Sequence, residues 1–279
     1  MARTPIVKAK DFYPEMFSRN AVAYQRRLED VMARGEAPGR TRLIELAAPR
    51  PGMRVLDLAC GPGNLSRRLA PLVAPGGEVV GIDLAPGMIE LARNAGLANA
   101  RFEVMDMERL GFDDASFDVA VCGHGLQFAP DLSRALHEAR RVLTTGGRLV
   151  ASVPLTQMRD SVFVVLDTVF DRWLPPVPEV VDEKGTRETV QDPQTLTQAA
   201  LDAGFGSASV EVIEEEVHWQ SADQVVSVVM GWWNCACRME TVAPDKREAC
   251  VRDAVATLKR EHPSTISTTG RNHVLLAST

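Results

Sequence analysis

A short apolar strand that runs into an acidic residue and two closely spaced glycines constrains this chain most. The segment RVLDLACGPGN spans residues 54–64. Its apolar residues predict a buried strand that contains Asp57, and Gly61 and Gly63 allow a backbone to approach a ligand closely. Leucine and valine recur at helical spacing after the second glycine. The turn therefore leads to a helix N-terminus, whose free N–H groups and partial positive charge favour a carboxylate or a phosphate.

Loops of this kind also bind nicotinamide dinucleotides, but the details of this one disfavour that ligand. The third glycine of G-x-G-x-x-G would fall at Ser66, and Pro62 lies inside the turn. Asp57 stands where dinucleotide-binding proteins usually have an apolar residue. Its carboxylate would repel a pyrophosphate, whereas it would attract a cationic ligand. A lone G-x-G pattern is weak evidence, so the choice depends on the strands that follow.

Acidic residues also end the next two predicted strands. Residues 78–82 predict a strand that ends at Asp83, 26 residues after Asp57. A carboxylate at this position can accept hydrogen bonds from both hydroxyls of a ribose. The third predicted strand, 101–105, ends at Asp106. Two further acids at successive strand ends make a ligand site a better explanation of the glycines than a plain tight turn. Two more strands are predicted at 117–122 and 147–153.

These features together resemble the class I S-adenosylmethionine-dependent methyltransferases, and among them the small-molecule methyltransferases related to quinone C-methylating enzymes. The matching pieces are Asp57-x-x-x-Gly61-x-Gly63, Asp83, Asp106-Met107, Phe117-Asp118-Val119 and the leading segment 17–24 with its Ala-x-x-Tyr. The resemblance covers roughly residues 15–155. It implies an α/β, Rossmann-like, doubly wound seven-stranded sheet with six parallel strands, an antiparallel last strand and helical lid insertions.

The resemblance also implies which residues bind S-adenosylmethionine and its product S-adenosylhomocysteine. They are Tyr24, Asp57, Gly61, Gly63, Asp83, Leu84, Met88, Asp106, Met107, Cys122 and Gly123. Asp57 and the glycines would meet the methionine portion, Asp83 the ribose hydroxyls and Asp106 the adenine amino group. Tyr24 would close over the site, although an aromatic residue in an amphipathic helix is often simply packed. The methionines alone would be ordinary core residues.

Apolar helical patterns beyond the fifth predicted strand indicate a lid over the carboxyl ends of the strands, where open α/β sheets bind ligands. The insertions occupy residues 158–173 and 221–260, the second with an apolar helix predicted at 225–237, and the N-terminal helices complete the lid. A polar loop is predicted at 180–189. The candidate acceptor-binding residues are Gln127, Phe128, Trp173, Trp232 and Trp233. This content favours a largely apolar or aromatic acceptor. Alternatively, Trp232 and Trp233 fill a helix–sheet interface or a dimer contact.

These patterns divide the chain into four parts. We expect an N-terminal helical cap over residues 1–50 and a cofactor-binding core over 51–155. A helical lid insertion then covers 156–208, and the last two strands with a second helical insertion cover 209–279.

His124 is the candidate catalytic residue. The sulfonium methyl is already activated, so transfer is an in-line displacement that needs no metal. Orientation of the acceptor about 3 Å from the methyl supplies roughly 7–11 kcal/mol. An acceptor that must lose a proton also needs a base, and His124 follows the fourth predicted strand. A neutral histidine suits this task near pH 7. Alternatively, His124 only orients the substrate or bonds to a loop carbonyl.

Composition favours a small-molecule acceptor. The net charge is −6 and no basic run occurs, which disfavours nucleic acid. The Asn/Asp-Pro-Pro-Tyr/Phe signature of base and amide N-methylating enzymes is absent after the fourth predicted strand. No apolar run approaches the roughly 18 residues of a membrane span, and residues 1–5 lack the apolar core of a signal peptide. The oligomeric state, monomer or homodimer, is left open.

The cysteines predict a reduced, cytoplasmic protein without a metal. Five are present, and they form no disulfide framework. Cys235-x-Cys237 lacks a second pair at metal-binding spacing. Arginine outnumbers lysine 26 to 5, as in proteins of high-GC bacteria that make many methylated natural products.

Three other functions stay open on the sequence alone. One is quinone-type C-methylation in core metabolism. The second is a fold relative that binds the same cofactor but catalyses a non-methylating reaction such as a cyclisation. The third is a non-catalytic subunit that activates a partner methyltransferase, although such subunits often lose the glycines or acids retained here.

Overall fold

Nine strands and eleven helices occupy residues 6–35, 37–155 and 160–279, which the computed structural model describes. The strands are β1 (Ile6–Lys8), β2 (Arg54–Leu58), β3 (Glu78–Asp83), β4 (Ala100–Val104), β5 (Phe117–Gly123), β6 (Leu143–Pro154), β7 (Glu179–Val181), β8 (Ser207–Trp219) and β9 (Ile266–Ser278). The helices are α1 (Ala9–Ala33), α2 (Pro38–Ala47), α3 (Asn64–Val73), α4 (Pro86–Arg93), α5 (Leu132–Val142), α6 (Ser161–Trp173), α7 (Thr186–Gln191), α8 (Pro193–Asp202), α9 (Ala222–Val229), α10 (Trp233–Met239) and α11 (Pro244–Glu261). A 3₁₀ turn covers Leu126–Phe128.

Seven of the strands form one sheet in the order β4-β3-β2-β5-β6-β9-β8. The first five of these strands pair in parallel. β9 runs antiparallel to both β6 and β8, so β8 points the same way as β6. The predicted sheet of six parallel strands with an antiparallel last strand is confirmed. The chain order reverses between β2 and β5, and open α/β sheets bind ligands at the carboxyl ends beside such a reversal.

Helices cover both faces of this sheet, which explains why its central strands read as continuous apolar runs. On one face α2 and α3 pack on the sheet, with Leu43 and Leu69 fully buried. On the other face α5 and α8 do so, with Leu136 and Leu196 fully buried.

Helices from both predicted insertions form a third core, separate from the two on the faces of the sheet. Buried residues of α6, α9 and α11 pack together with Trp219 and Ile266, which lie at the far ends of β8 and β9. In contrast, α7 and α8 pack on the sheet through Val190 and Leu196. The residues of the predicted insertion 156–208 therefore contribute to two different cores. The predicted domain limits themselves stay a prediction.

Three local predictions differ from the structure. Residues 180–189, predicted as a polar loop, contain the end of β7 and the start of α7, and β7 pairs in parallel with β1. Three-residue strands are too short to show a period. The helix predicted over 225–237 is split, because Trp232 has an extended backbone that precedes α10. The helix predicted over 158–173 begins at Ser161 as α6, and residues 158–159 lie outside the described residues.

No helix in the described part of the chain combines the length and the apolar character needed to cross a membrane.

Candidate functional site

A cleft at the carboxyl ends of β2 to β5 brings part of the predicted site together. One wall is the first half of α1, and the other wall consists of the segments that follow the strands. Of the predicted residues, Asp83, Leu84, Asp106, Met107 and Phe128 line this cleft. The sheet therefore gathers side chains from segments far apart in sequence, as the resemblance implied.

The glycine turn between β2 and α3 has the geometry that its sequence predicts. Gly61 and Gly63 have φ angles of +54° and +80°, in the left-handed region that favours glycine. A Cβ on Gly63 would lie 3.3 Å from Ala92 and Phe102, so α4 and β4 approach the turn closely there. A Cβ on Gly61 would meet no atom within 4 Å. The backbone at Gly61 thus faces open space that a ligand can occupy.

Asp57 is the next-to-last residue of β2, and its buried carboxylate has one oxygen without a partner in the described residues. Its Oδ2 accepts a hydrogen bond of 2.6 Å from the Ser66 hydroxyl, whereas its Oδ1 has no hydrogen-bond partner in the described part of the chain. Burial raises the pKa of Asp57 to about 7, and the Ser66 hydrogen bond opposes this rise. A buried carboxylate oxygen without a donor fits an ammonium ligand, because that ligand supplies both charge and N–H groups.

Asp83 is held where a ribose can reach it. Its Oδ1 accepts from the Ala85 amide at 2.8 Å, and its Oδ2 accepts from the Gly61 amide at 2.9 Å. Burial raises the pKa of Asp83, and these two hydrogen bonds oppose the rise. Each carboxylate oxygen can accept a further hydrogen bond, so the two hydroxyls of a ribose fit this carboxylate.

Met88 and Tyr24 lie beside the cleft in the contact between α1 and α4. Met88 is 2% exposed and packs with Ala21 and Ala85. The Tyr24 ring lies 6.0 Å from the Phe17 ring, and Phe17 itself lines the cleft. Both predicted residues therefore support the wall rather than form its surface, and their contact with the cofactor stays a prediction.

The end of the cleft at Asp106, predicted to hold the adenine, contains an ion pair that the sequence did not reveal. The Lys10 Nζ lies 2.6 Å from Asp106 Oδ2 and 2.6 Å from Glu108 Oε2. Burial lowers the pKa of Lys10, but the hydrogen bonds with both carboxylates outweigh it and raise the pKa. A single lysine near the start of a chain carries no pattern, so only the fold could show this pairing.

An aromatic cluster lies next to the cleft and contains two of the predicted acceptor residues. The Tyr13 ring lies 4.8 Å from Phe128 and 5.6 Å from Trp233, edge to face in both cases. The Tyr13 hydroxyl accepts a hydrogen bond from Arg187, and burial raises the pKa of Tyr13 to about 12. Tyr13 thus links α1 to the 3₁₀ turn, α7 and α10. The sequence missed it because an isolated tyrosine in a helix is usually only packed.

Two further predicted acceptor residues, Trp173 and Trp232, lie outside this cluster, and their role toward an acceptor stays a prediction. The Trp173 Nε1 donates to Asp253 Oδ2 at 2.8 Å, within the contact of α6 with α11. Trp232 is 41% exposed, and its ring lies 5.0 Å from Phe163. Because helix α10 begins right after Trp232, the adjacent tryptophans point to different neighbours. The structure therefore separates Trp173 and Trp232 from the cleft.

His124 and Gln127 follow β5 in a compact turn. His124 has a φ of +60°, and its backbone N–H donates to the Ser152 carbonyl at 2.9 Å. The Gln127 Nε2 donates to the His124 carbonyl at 2.8 Å. Gln127 Oε1 is buried, and within the described residues it has no hydrogen-bond partner. Gln127 therefore shapes the turn, and its role toward an acceptor stays a prediction.

The His124 ring faces Arg40, and this contact argues against the predicted general base. His124 Nδ1 lies 3.5 Å from Arg40 Nη2. A guanidinium only donates, so Nδ1 is the accepting nitrogen and the neutral ring carries its proton on Nε2. Burial and then the Arg40 charge lower the pKa of His124 to about 3, although Asn272 opposes this. A neutral ring with N–H at Nε2 can donate a hydrogen bond but is a weak base.

Cys122 and Gly123 end β5 beside the turn. Cys122 is fully buried, and burial raises the pKa of its thiol to about 12. A Cβ on Gly123 would lie 2.6 Å from Leu65 Cδ1, so the tip of the Leu65 side chain would have to shift to admit any larger residue. Their backbone contact with the cofactor stays a prediction. Among the residues that the structure covers, no group of three or more His, Cys, Asp or Glu side chains could hold a metal ion.

Comparisons with known proteins agree with this geometry. A family model described as a methyltransferase domain matches residues 49–184. The ubiquinone/menaquinone biosynthesis C-methyltransferase UbiE of Shewanella frigidimarina is 31% identical over 212 residues, which cover 71% of this chain and 84% of that protein. The aklanonic acid methyltransferase DauC of Streptomyces sp. is 38% identical over 138 residues, which cover 48% of this chain and 62% of that protein.

A solved structure extends the likeness to the whole chain. The cyclase SpnF superposes with a TM-score of 0.56 at 17% identity and covers 99% of this chain and 98% of its own. At this identity the likeness concerns the fold alone. The matched parts span between 53% and 84% of the lengths of the first four curated relatives.

Proposed function

The chain belongs to the class I S-adenosylmethionine-dependent methyltransferases and is related to the quinone C-methyltransferases, and on this premise we propose that its acceptor is a small, largely apolar or aromatic molecule. The observation that carries this proposal is the aromatic cluster of Tyr13, Phe128 and Trp233 beside the cofactor cleft. Flat aromatic surfaces stack well on aromatic side chains and exclude water from a reacting centre.

The residues present fit the cofactor along its full length. Asp57 offers an unused oxygen for the ammonium, Asp83 accepts the ribose hydroxyls, and Asp106 accepts the adenine amino group. When bound, the cofactor supplies a methyl group that is already activated for displacement. The protein's own task is to hold an acceptor in line with that methyl and to exclude water, since orientation alone contributes roughly 7–11 kcal/mol.

Two acceptor classes follow from the relatives' names. DauC is named for aklanonic acid and UbiE for the quinones ubiquinone and menaquinone. We favour a natural-product acceptor of the first kind, because α10 in the second helical insertion supplies Trp233 to the aromatic cluster beside the cleft. Quinone C-methylation is the second candidate, and the long match to UbiE favours it. Transfer assays with a panel of both classes decide between them.

We further propose that the enzyme works in the cytoplasm and does not act on nucleic acid. All five cysteines lie in the described residues and are free and buried, which is typical of a reducing compartment. The net charge of −6 would repel phosphates rather than attract them.

Calorimetry and a transfer assay test the proposal together. S-adenosylmethionine should bind the wild type, and Asp83→Ala should weaken binding at least tenfold, because charge-assisted hydrogen bonds contribute about 1.5–3 kcal/mol each. Asp202→Ala, at an exposed carboxylate, is the matched control. Labelled methyl should pass to aromatic small molecules but not to RNA or proteins. Unchanged binding by folded Asp83→Ala would refute the cofactor site, and equal labelling of RNA or protein would refute the acceptor class.

The same assay separates the remaining functions. A converted acceptor that carries no labelled methyl would identify a non-methylating reaction such as cyclisation. Turnover by the isolated chain would exclude the role of a non-catalytic activating subunit.

A further inference from the structure

Three polar side chains at one end of the sheet have buried atoms without hydrogen-bond partners. These atoms are His124 Nε2, Ser152 Oγ and Asn272 Oδ1, and none has a partner within residues 6–35, 37–155 and 160–279. Ser152 is fully buried, and Asn272 is 2% exposed. A buried polar atom without a partner destabilises a folded protein, so three of them in one place call for a ligand or a water molecule. We call these three side chains the polar cluster.

The polar cluster lies on one face of the sheet. The His124 N–H donates to the Ser152 carbonyl at 2.9 Å, which joins the turn after β5 to β6. Ser152 is paired with Val274 of β9, and Asn272 lies two residues before Val274, so both side chains point to the same face. A Cβ on Gly39 would lie 3.2 Å from Asn272 Cβ, and this face is therefore the one that α2 covers.

His124 and Asn272 face each other without forming a hydrogen bond. Because His124 Nδ1 faces Arg40, the neutral ring carries its proton on Nε2 and donates from there. The Asn272 side chain acts to raise the pKa of His124, as expected for an amide oxygen beside the ring. Yet His124 Nε2 and Asn272 Oδ1 both lack a partner in the part of the chain that the structure describes. A group between them must accept one hydrogen bond and donate another.

This requirement selects the chemical class of the ligand. A carbonyl, an ether or a carboxylate only accepts hydrogen bonds, and an ammonium only donates them. A hydroxyl can accept from His124 Nε2 and donate to Asn272 Oδ1 through the same oxygen, and the Ser152 hydroxyl can take either role. The polar cluster therefore matches a hydroxyl group.

The place of the polar cluster in the sheet favours the acceptor over the cofactor as its ligand. The carboxylates predicted to bind the cofactor are Asp106, Asp83 and Asp57, at the ends of β4, β3 and β2. The polar cluster belongs to β5, β6 and β9, which follow these strands in the sheet order. Phe128 of the aromatic cluster lies in the same turn as His124, four residues later.

Resting on the proposed function, we propose that His124, Ser152 and Asn272 bind a hydroxyl group of the acceptor, and that the acceptor is therefore a hydroxylated aromatic molecule. The aromatic cluster would contact its rings, and the polar cluster would fix the position of its oxygen. A site that is built to hydrogen-bond a hydroxyl rejects an analogue without one, because the buried polar atoms then stay unpaired. The polar cluster thus determines specificity.

Two naphthalenes of similar size test this proposal. 2-Naphthol carries a hydroxyl where 2-methylnaphthalene carries a methyl group. Fluorescence titrations use the enzyme saturated with S-adenosylhomocysteine, and the wild type should bind 2-naphthol at least about tenfold more tightly. Asn272→Leu keeps a similar volume but removes the hydrogen-bond acceptor, so it should bring the two affinities within about threefold of each other. A merely structural role of Asn272 would not change this ratio.

Thr257→Val is the matched control. Thr257 is 6% exposed, and its hydroxyl donates to Asp253 within α11, so the change also removes a buried polar group. It should leave the ratio of the two affinities as in the wild type. If Asn272→Leu does not fold, Ser152→Ala decides by the same ratio: a smaller preference for 2-naphthol supports the proposal, and an unchanged one rejects it.

The contrary results are distinct from a failure of the proposed function. Equal affinities in the wild type, or an undiminished preference for 2-naphthol in folded Asn272→Leu, would overturn the hydroxyl site and leave an internal water as the partner of the polar cluster. If S-adenosylhomocysteine binds but neither naphthalene does, the hydroxyl site is also rejected, while the cofactor assignment stands. If S-adenosylhomocysteine itself does not bind the wild type, the proposed function fails.

Discussion

The Lys10 ammonium lies 2.6 Å from the Asp106 carboxylate, so the start of α1 is bound to the group predicted to accept the adenine amino group. Glu108 accepts from the same ammonium at 2.6 Å. Both walls of the cleft are thereby joined at its adenine end. If Asp106 binds the cofactor as predicted, the cofactor shares this carboxylate with Lys10, and we expect the ion pair to loosen when the cofactor enters or leaves.

Lys10→Met should therefore speed cofactor exchange. The side chain of Lys10 is 40% exposed, and such ion pairs contribute about 0.2–1 kcal/mol, so the dissociation rate should rise about two- to fivefold. Stopped-flow tryptophan fluorescence measures that rate. Lys184→Met is the control, because Lys184 forms a 2.6 Å ion pair with Asp131 but does not join the two walls. An unchanged or slower rate in Lys10→Met would contradict the inference.

Cofactor affinity should rise with pH between about 5.5 and 7.5. Burial, together with the nearby Asp83 charge, raises the pKa of Asp57 to about 7. The cofactor's ammonium favours the ionised carboxylate, so binding below pH 7 must first release a proton. Above pH 7 the affinity should level off. Asp57→Asn should bind weakly with a flatter pH profile, and calorimetry in buffers of different ionisation enthalpy measures the proton release.

The pH experiment has a clear contrary result. Burial also raises the pKa of Asp83. If the pH dependence of cofactor affinity persists unchanged in Asp57→Asn, the proton released on binding comes from Asp83 instead.

His124 should act as a hydrogen-bond donor rather than as a base. His124→Asn keeps a donor and tolerates the positive φ, so it should retain turnover within about tenfold of the wild type. His124→Ala should lose more, without recovery at high pH. A general base would instead show losses of about 10²–10⁴ in both variants, with recovery as the acceptor ionises. Steady-state rates from pH 6 to 10, with melting temperatures as the folding control, distinguish the two.

Trp233 and Trp232 form a matched pair for the acceptor pocket. Trp233→Ala should raise the KM of an aromatic acceptor about tenfold, since it removes an edge-to-face partner of Tyr13 and opens the cluster. Trp232→Ala should leave that KM unchanged, because its ring lies beside Phe163 near the surface. Steady-state kinetics of both variants with the same aromatic acceptor measure the two KM values. Equal effects of the two changes would place the acceptor elsewhere.

The sequence by itself determined the sheet, the glycine turn and the acids at the strand ends. These features are recorded in short stretches of sequence. A strand that is buried on both faces needs a continuous apolar run, and a turn with a left-handed backbone favours glycine. Asp57, Asp83 and Asp106 could be placed at one edge since parallel strands end together. The lid could be predicted only in outline, because apolar periodicity shows that a helix has a buried face but not what covers it.

The tertiary structure decided which side chains meet. Lys10 and Asp106 are separated by 96 residues, and Arg40 and His124 by 84 residues, so no spacing in the sequence connects them. The second contact indicates the tautomer of His124, and it favours a hydrogen-bond donor over the predicted base. Trp232 and Trp233 are adjacent in the same apolar stretch of sequence. Because α10 begins between them, the Trp232 ring packs beside Phe163 and the Trp233 ring packs beside Tyr13. Such contacts depend on where whole elements pack, and that is a property of the folded chain alone.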